Sequence, residues 1–236
     1  MSDVAQRVAE NLDQVRQRIS AAAKRSGREP GLVRLVAVTK YGSDEAVRAL
    51  LDGGCRDLGE SRPQQLWTRA EQFAGDDVVW HLIGHLQRNK ARRTLPLTSL
   101  VHSVDSLRLL EALDETALSL DLRPRVLIEV NISGDPAKHG FAPSDLPALA
   151  PRLAELGRVQ VVGLMAMAAR SGDADKARAS FAALRELRDR LRDEFPANAT
   201  LDELSMGMSG DFEAAIEEGS TLVRVGSTLL EGVGEG

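Results

Sequence analysis

The sequence predicts an α/β fold: a single closed barrel of eight parallel strands, a (β/α)8 TIM barrel, with one additional helix before the first strand. Three observations predict it. Short apolar runs recur eight times, helical segments separate them, and 43% of the 236 residues are hydrophobic while only 3% are aromatic. Such a core must be filled by Val, Leu, Ile and Ala, the residues that layer a barrel interior. The length suits one α/β barrel domain spanning 1–236, and no Pro/Ser-rich linker, repeat or low-complexity tract divides it.

Residues 1–27 carry Val4, Val8, Leu12, Val15 and Ile19 among acids, bases and amides, which makes an amphipathic helix packed on the barrel and not a signal peptide. Gly27 and Pro30 punctuate it. A mostly apolar, β-branched run at 33–39 then reads as a buried parallel strand leading to Lys40. The segment 43–51 is helical in composition, and Gly53-Gly54 closes it. Further strands are expected at 55–58, 78–83, 100–104, 125–131, 159–165, 204–206 and 222–225, with helices at 63–73, 86–93, 106–118, 143–156, 174–195 and 211–217. Strict alternation implies right-handed crossovers and a parallel sheet. Eight units close into a barrel more readily than they spread; an open doubly wound sheet is the alternative.

Composition excludes several function classes. The 30 basic and 35 acidic residues are mixed along the chain and leave a net charge of -5, so nothing steers it toward nucleic acid. So few aromatics also leave no base-stacking platform. The single cysteine, Cys55, makes neither an internal disulfide nor a zinc-binding cluster, which points to a reducing compartment or to indifference to one. No run approaches the ~18 apolar residues of a membrane span. A soluble, cytoplasmic protein without a membrane partner is expected.

In such barrels chemistry sits at the carboxyl ends of the strands. Those positions are polar here: Lys40; Gly59, Glu60 and Ser61; Gly84 and His85; Ser103; Asn131 and Ser133; 205–209; Gly226, Ser227 and Thr228. Lys40, directly after a buried strand, is placed to act as a desolvated amine nucleophile; a snorkelling surface lysine is the competing reading. The loops after strands seven and eight, with a short helix expected around Leu229-Leu230, match the recurrent phosphate site of this fold. Two ordinary turns would look the same in sequence. Asp211 and Glu213 would repel an anion at the helix after Ser209, so the strand-eight loop is the better cradle. Arg224, inside strand eight, must either pair with a buried carboxylate such as Glu129 or Glu60 or donate to a ligand. His81 and His85 are four apart but straddle a strand end and a glycine turn, so no metal site is assigned and His81 is expected to be a barrel-mouth group or a satisfied core histidine.

The segments Leu35-Val36-Ala37-Val38-Thr39-Lys40, Leu58-Gly59-Glu60, residues 80–90, Val101-His102-Ser103-Val104-Asp105, Glu129-Val130-Asn131 with Lys138-His139-Gly140, Val162-Gly163-Leu164-Met165, residues 204–211 and residues 224–228 carry a resemblance. Through them the chain resembles, almost end to end, the pyridoxal phosphate homeostasis protein family, also described as proline synthetase co-transcribed or PLP-binding proteins. It implies a barrel similar to the amino-terminal domain of alanine racemase, with pyridoxal 5'-phosphate carried as a Schiff base on Lys40. It further implies that Arg224 faces the pyridine nitrogen and that Ser205, Ser209, Gly226 and Ser227 surround the phosphate, with Asn131, Met206 and Gly207 completing the expected cofactor contacts. The sequence departs from the family at Tyr41-Gly42-Ser43, Ser61 and Leu82, which affects the cofactor's outer shell.

An arginine at the ring nitrogen can only donate, which keeps the ring unprotonated and weakens it as an electron sink. No second domain is expected to oppose Lys40 with an acid or base, as racemisation needs. The expectation is therefore a monomeric protein of cofactor homeostasis, not an enzyme, which hands pyridoxal phosphate to PLP-dependent apo-enzymes. The alternatives are a small PLP-dependent amino-acid racemase or lyase, in which Lys40 is catalytic, and a cofactor-free phosphate-binding aldolase or isomerase.

Overall fold

The computed structural model of the chain describes residues 2–168 and 173–233; Met1, residues 169–172 and residues 234–236, at the carboxyl end of the expected domain, lie outside the described residues. Eight strands, β1 (Arg34–Val38), β2 (Asp57–Glu60), β3 (Val79–Leu82), β4 (Leu100–Val104), β5 (Arg125–Glu129), β6 (Gln160–Met165), β7 (Ala199–Met208) and β8 (Leu222–Val225), pair in parallel in chain order. The barrel closes where β1 pairs with β8, Leu35 opposite Val223 and Val36 opposite Arg224. Helices α1 (Asp3–Arg25), α2 (Asp44–Asp52), α3 (Pro63–Gln72), α4 (Ala91–Thr94), α5 (Leu107–Ser119), α6 (Ala150–Glu155), α7 (Ala174–Leu191) and α8 (Phe212–Glu217) surround it.

Because α8 lies between β7 and β8, no helix of the described chain follows β8; α1 fills that place in the ring, packed against α2 on one side and α8 on the other. Ser2 starts α1 by accepting the Ala5 N–H, and Val8, Leu12, Val15, Ile19 and Ala22 are its buried stripe. Asn11 ties it to the far end of the chain, its side-chain amide donating to the carbonyls of Leu229 and Glu231.

Two hydrophobic clusters follow from strand alternation. The larger lies between strands and helices; the smaller, Val36, Leu100, Leu127, Val162, Met165 and Leu222, includes residues from β1, β4, β5, β6 and β8. Polar residues of β3, β4, β7 and β8 are also buried: His81, His102, Ser205 and Arg224. At Gly163 the β6 backbone meets the Glu203 backbone so closely that a Cβ would collide with it.

Three segments differ from the sequence expectation. The expected helix at 143–156 is two 3-10 turns, Pro143–Asp145 and Pro147–Leu149, before α6, because Pro143, Pro147 and Pro151 have no N–H to donate. The helix expected at 86–93 is a 3-10 turn and the four-residue α4, with Pro96 following. Strand β7 is ten residues long, against the expected 204–206, so it begins five residues earlier, and Gly207 and Met208 belong to the strand and not to the loop after it. No helix of the described chain is long and apolar enough to cross a membrane.

Candidate functional site

A cavity of about 740 Å³ opens at the carboxyl ends of the strands, within the range of small-molecule and cofactor sites. Its walls include Lys40 after β1, Gly84 and His85 after β3, Glu129 at the end of β5, His139 in the following loop, Ser209 after β7, and Arg224, Gly226 and Ser227 on and after β8. A smaller cavity of about 380 Å³ lies against α1, with Arg16 and Asp57 in its wall, and holds none of the expected site residues.

Lys40 lies two residues beyond β1. Its carbonyl accepts from the Gln65 side-chain amide at 2.8 Å, and its ammonium stands 4.8 Å from the centroid of the exposed Tyr41 ring. No carboxylate of the described chain forms an ion pair with Lys40, so its nitrogen is not committed to an anion.

Backbone donors converge after β8. The N–H groups of Gly226 and Thr228 both point at the Ser209 hydroxyl, at 3.2 and 3.4 Å. Converging backbone donors are the physical basis of anion cradles. A Cβ on Gly226 would stand 3.1 Å from the Val38 Cβ and 3.2 Å from its carbonyl oxygen, so a glycine is what fits between β1 and β8. The helix expected around Leu229 is only a turn, closed by Leu230 N–H donating to the Gly226 carbonyl. The donors are therefore loop amides without a helix dipole behind them. Asp211, expected to repel an anion, accepts the Met208 N–H at 2.6 Å and braces the β7 loop.

Arg224 is 4% exposed and pairs with neither Glu129 nor Glu60. One guanidinium nitrogen donates to the Ser205 hydroxyl and the other to the Ala166 carbonyl at 3.1 Å. From Ser205 a buried chain continues down the barrel: Ser205 Oγ to His102 Nδ1 at 2.8 Å, His102 Nε2 to His81 Nδ1 at 2.9 Å, and His81 Nε2 to Asp57 Oδ1 at 2.9 Å. Burial, with His81, Arg224 and Arg34 nearby, holds the His102 imidazole well below the usual histidine range, so it is neutral. Arg224 can only donate, and the arrangement that leaves the Ser205 hydroxyl proton with a partner has Ser205 donating onward to His102 Nδ1. The remaining protons are then placed: His102 donates from Nε2 to His81, and His81 from Nε2 to the Asp57 carboxylate.

Of the nine residues expected to contact the cofactor, the structure brings Lys40, Ser209, Arg224, Gly226 and Ser227 to one cavity. Four lie elsewhere. Ser205 is fully buried between Arg224 and His102; Met206 is fully buried in the hydrophobic core; Gly207, at φ 91°, packs where a Cβ would meet Ala215 and Phe212. Asn131 organises the loop after β5 by donating to the Asp135 and Lys138 carbonyls.

The sequence reading missed the histidine chain and the rim on the β3 to β5 side. His85 Nδ1 lies 2.9 Å from Asp105 Oδ2, and His139 Nδ1 is 3.8 Å from the same oxygen, with the two rings stacked at 4.9 Å. Glu129 is 6% exposed, and burial, helped by Asp105, pushes its carboxyl above the usual range. Its strand stands opposite β1 in the eight-strand ring. An ionisable group thus stands across the ring from β1 within the barrel itself. Spacing could not show this, because residues 85, 105, 129 and 139 meet only through barrel closure.

Fold and site together define a (β/α)8 barrel of the alanine racemase amino-terminal type, and the family model "Alanine racemase, N-terminal domain" matches residues 10–232. The alanine racemase of Corynebacterium glutamicum superposes with a TM-score of 0.74 over 98% of this chain and 64% of that one, at 16% identity, a likeness of fold. Within that class, the chain is 42% identical over 224 residues, 94% of each chain, to the pyridoxal phosphate homeostasis protein of Pseudomonas aeruginosa. It belongs to the pyridoxal phosphate homeostasis protein family. The structure of PipY from Synechococcus elongatus with PLP bound is similar at a TM-score of 0.83 and 35% identity, covering 94% of this chain and 99% of that one.

Proposed function

We propose that this chain binds pyridoxal 5'-phosphate in the cavity at the strand ends, covalently through the Lys40 amine, and holds and releases it as part of intracellular cofactor homeostasis. The observation that carries this reading is the convergence, in one cavity, of an uncommitted lysine, paired backbone donors and a buried arginine. When bound, the cofactor supplies an aldehyde and an electron-withdrawing ring. Lys40 supplies the nucleophilic nitrogen. Gly226 and Thr228 N–H, with the Ser209 and Ser227 hydroxyls, are placed to hold the phosphate. Arg224, which burial lowers only to about 10, stays cationic at neutral pH and donates toward the ring nitrogen. Its side chain is held in place by Ser205 and Ala166, so it cannot swing to become an acid or base.

A carrier rather than a catalyst is supported by the names of the relatives and by an arginine that keeps the ring nitrogen as an acceptor. A monomer in the cytoplasm that passes the cofactor to apo-enzymes belongs to the same proposal. One observation favours a second reading, a small amino-acid racemase: His85, His139 and Glu129 stand in the cavity as possible proton carriers.

The test is spectroscopic. Addition of pyridoxal phosphate to the full chain should give a bound visible chromophore that Lys40→Ala lacks, and added amino acids should release cofactor without interconverting D and L forms. Absence of uptake by the unaltered chain contradicts the proposal, and racemisation abolished by Lys40→Ala establishes the second reading.

A further inference from the structure

We propose that His85, Asp105 and His139 form a binding site for a divalent transition-metal ion of the zinc type on the rim of the cavity, across from the phosphate cradle. Each offers one ligand atom, and these three atoms all lie within 4.8 Å of one another. Around a tetrahedral zinc, ligand atoms stand about 3.3 Å apart. The 2.9 and 3.8 Å separations from Asp105 to the two imidazoles bracket that value. Both imidazoles turn Nδ1 to the same carboxylate oxygen and are 49% and 68% exposed at their side chains, so small rotations about their side-chain bonds are enough to close the shell. Asp105 itself is only 10% exposed at its side chain and is fixed just after β4.

The choice of ligand follows from charge and donor type. No lysine or arginine forms an ion pair with Asp105 or with its neighbour Glu129 among the described residues. Glu129 is nine-tenths buried and faces the same cavity, and its carboxyl group makes no hydrogen bond among the described residues. Two carboxyl groups stand here beside two imidazoles, and the cations that face the same cavity, Lys40 and Arg224, make an ion pair with neither. Imidazole nitrogen selects zinc, copper or nickel over magnesium and calcium, which take oxygen ligands. Three protein ligands leave one coordination position for water or for a ligand in the cavity. The three come from the loops after β3, β4 and β5, so an ion would fasten the long loop after β5 to its neighbours at the mouth.

This assignment does not depend on Lys40 or on the cofactor, and the experiment separates the two. The full chain without an affinity tag is titrated with Co(II), read by its visible ligand-field absorption, and with Zn(II) by calorimetry. One ion per chain is expected. His139→Ala, in an exposed loop position that does not threaten folding, should weaken binding at least tenfold, as should His85→Ala and Asp105→Asn. Lys40→Ala should bind metal as the unaltered chain does. Absence of a one-to-one site, or a site that survives both His85→Ala and His139→Ala, overturns the proposal.

Discussion

Ser205 illustrates how one hydroxyl can join two parts of a barrel. It accepts from Arg224 and donates to His102, with no water-exposed surface of its own. Replacing it with alanine leaves a buried guanidinium N–H and a buried imidazole nitrogen without their partner. We expect Ser205→Ala to lower stability by about 1 to 3 kcal/mol in denaturant titration, and to shift the visible spectrum of the loaded protein, because Arg224 loses one of its two anchors. A spectrum and stability identical to those of the unaltered chain would remove Ser205 from the network. Cys55 gives a second residue-level expectation. Burial pushes its thiol up to about 11, so the thiolate is scarce at neutral pH. It should resist thiol reagents in the native protein and react promptly in denaturant; rapid native labelling would contradict its burial.

At the scale of elements, the barrel depends on close approach between neighbours. Gly163 in β6 meets the β7 backbone at a register shift, and Gly163→Ala should destabilise by about 1 to 3 kcal/mol or more, measured by thermal or denaturant unfolding. Helix α1 reaches the cofactor end indirectly, through Asn11 and the carbonyls of Leu229 and Glu231. Asn11→Ala should therefore weaken pyridoxal phosphate binding severalfold by loosening the turn that presents Gly226 and Thr228, as read by equilibrium dialysis. The eight strands and the place of Lys40 were legible in the sequence because buried parallel strands are short apolar runs and the lysine directly follows one. The true extent of β7 was not: residues 199–203 and 207–208 extend the expected strand 204–206 on both sides, through pairing with β6 and β8 that lies far away in sequence. The proline-broken segment before α6 was legible in principle, since Pro143, Pro147 and Pro151 stand in it.

For the molecule as a whole, the polar chain through the core predicts its pH dependence. His102 is neutral when folded and titrates near 6.5 when unfolded. Below that pH the unfolded chain binds the extra proton, so this group's contribution to stability is lost as pH falls from about 6.5 toward its depressed native value, by up to ~1.4 kcal/mol per pH unit. Glu60 and Glu129 act oppositely, because burial raises them and their folded forms take up protons first. Comparing the unaltered chain with His102→Gln isolates the histidine: the difference in stability between them should shift against the unaltered chain on acidification from about pH 6.5 to about 5, and a constant difference would show that His102 is not the group responsible. The histidine chain itself was illegible in sequence, since Asp57, His81, His102 and Ser205 become neighbours only when four different strands close into the barrel. The central claim is that Lys40 carries the cofactor. Borohydride reduction of the loaded protein, followed by peptide mass spectrometry, tests it most directly: the account predicts the phosphopyridoxyl mass on the peptide containing Lys40, and a label spread over surface lysines, or found elsewhere with Lys40 unmodified, would contradict it.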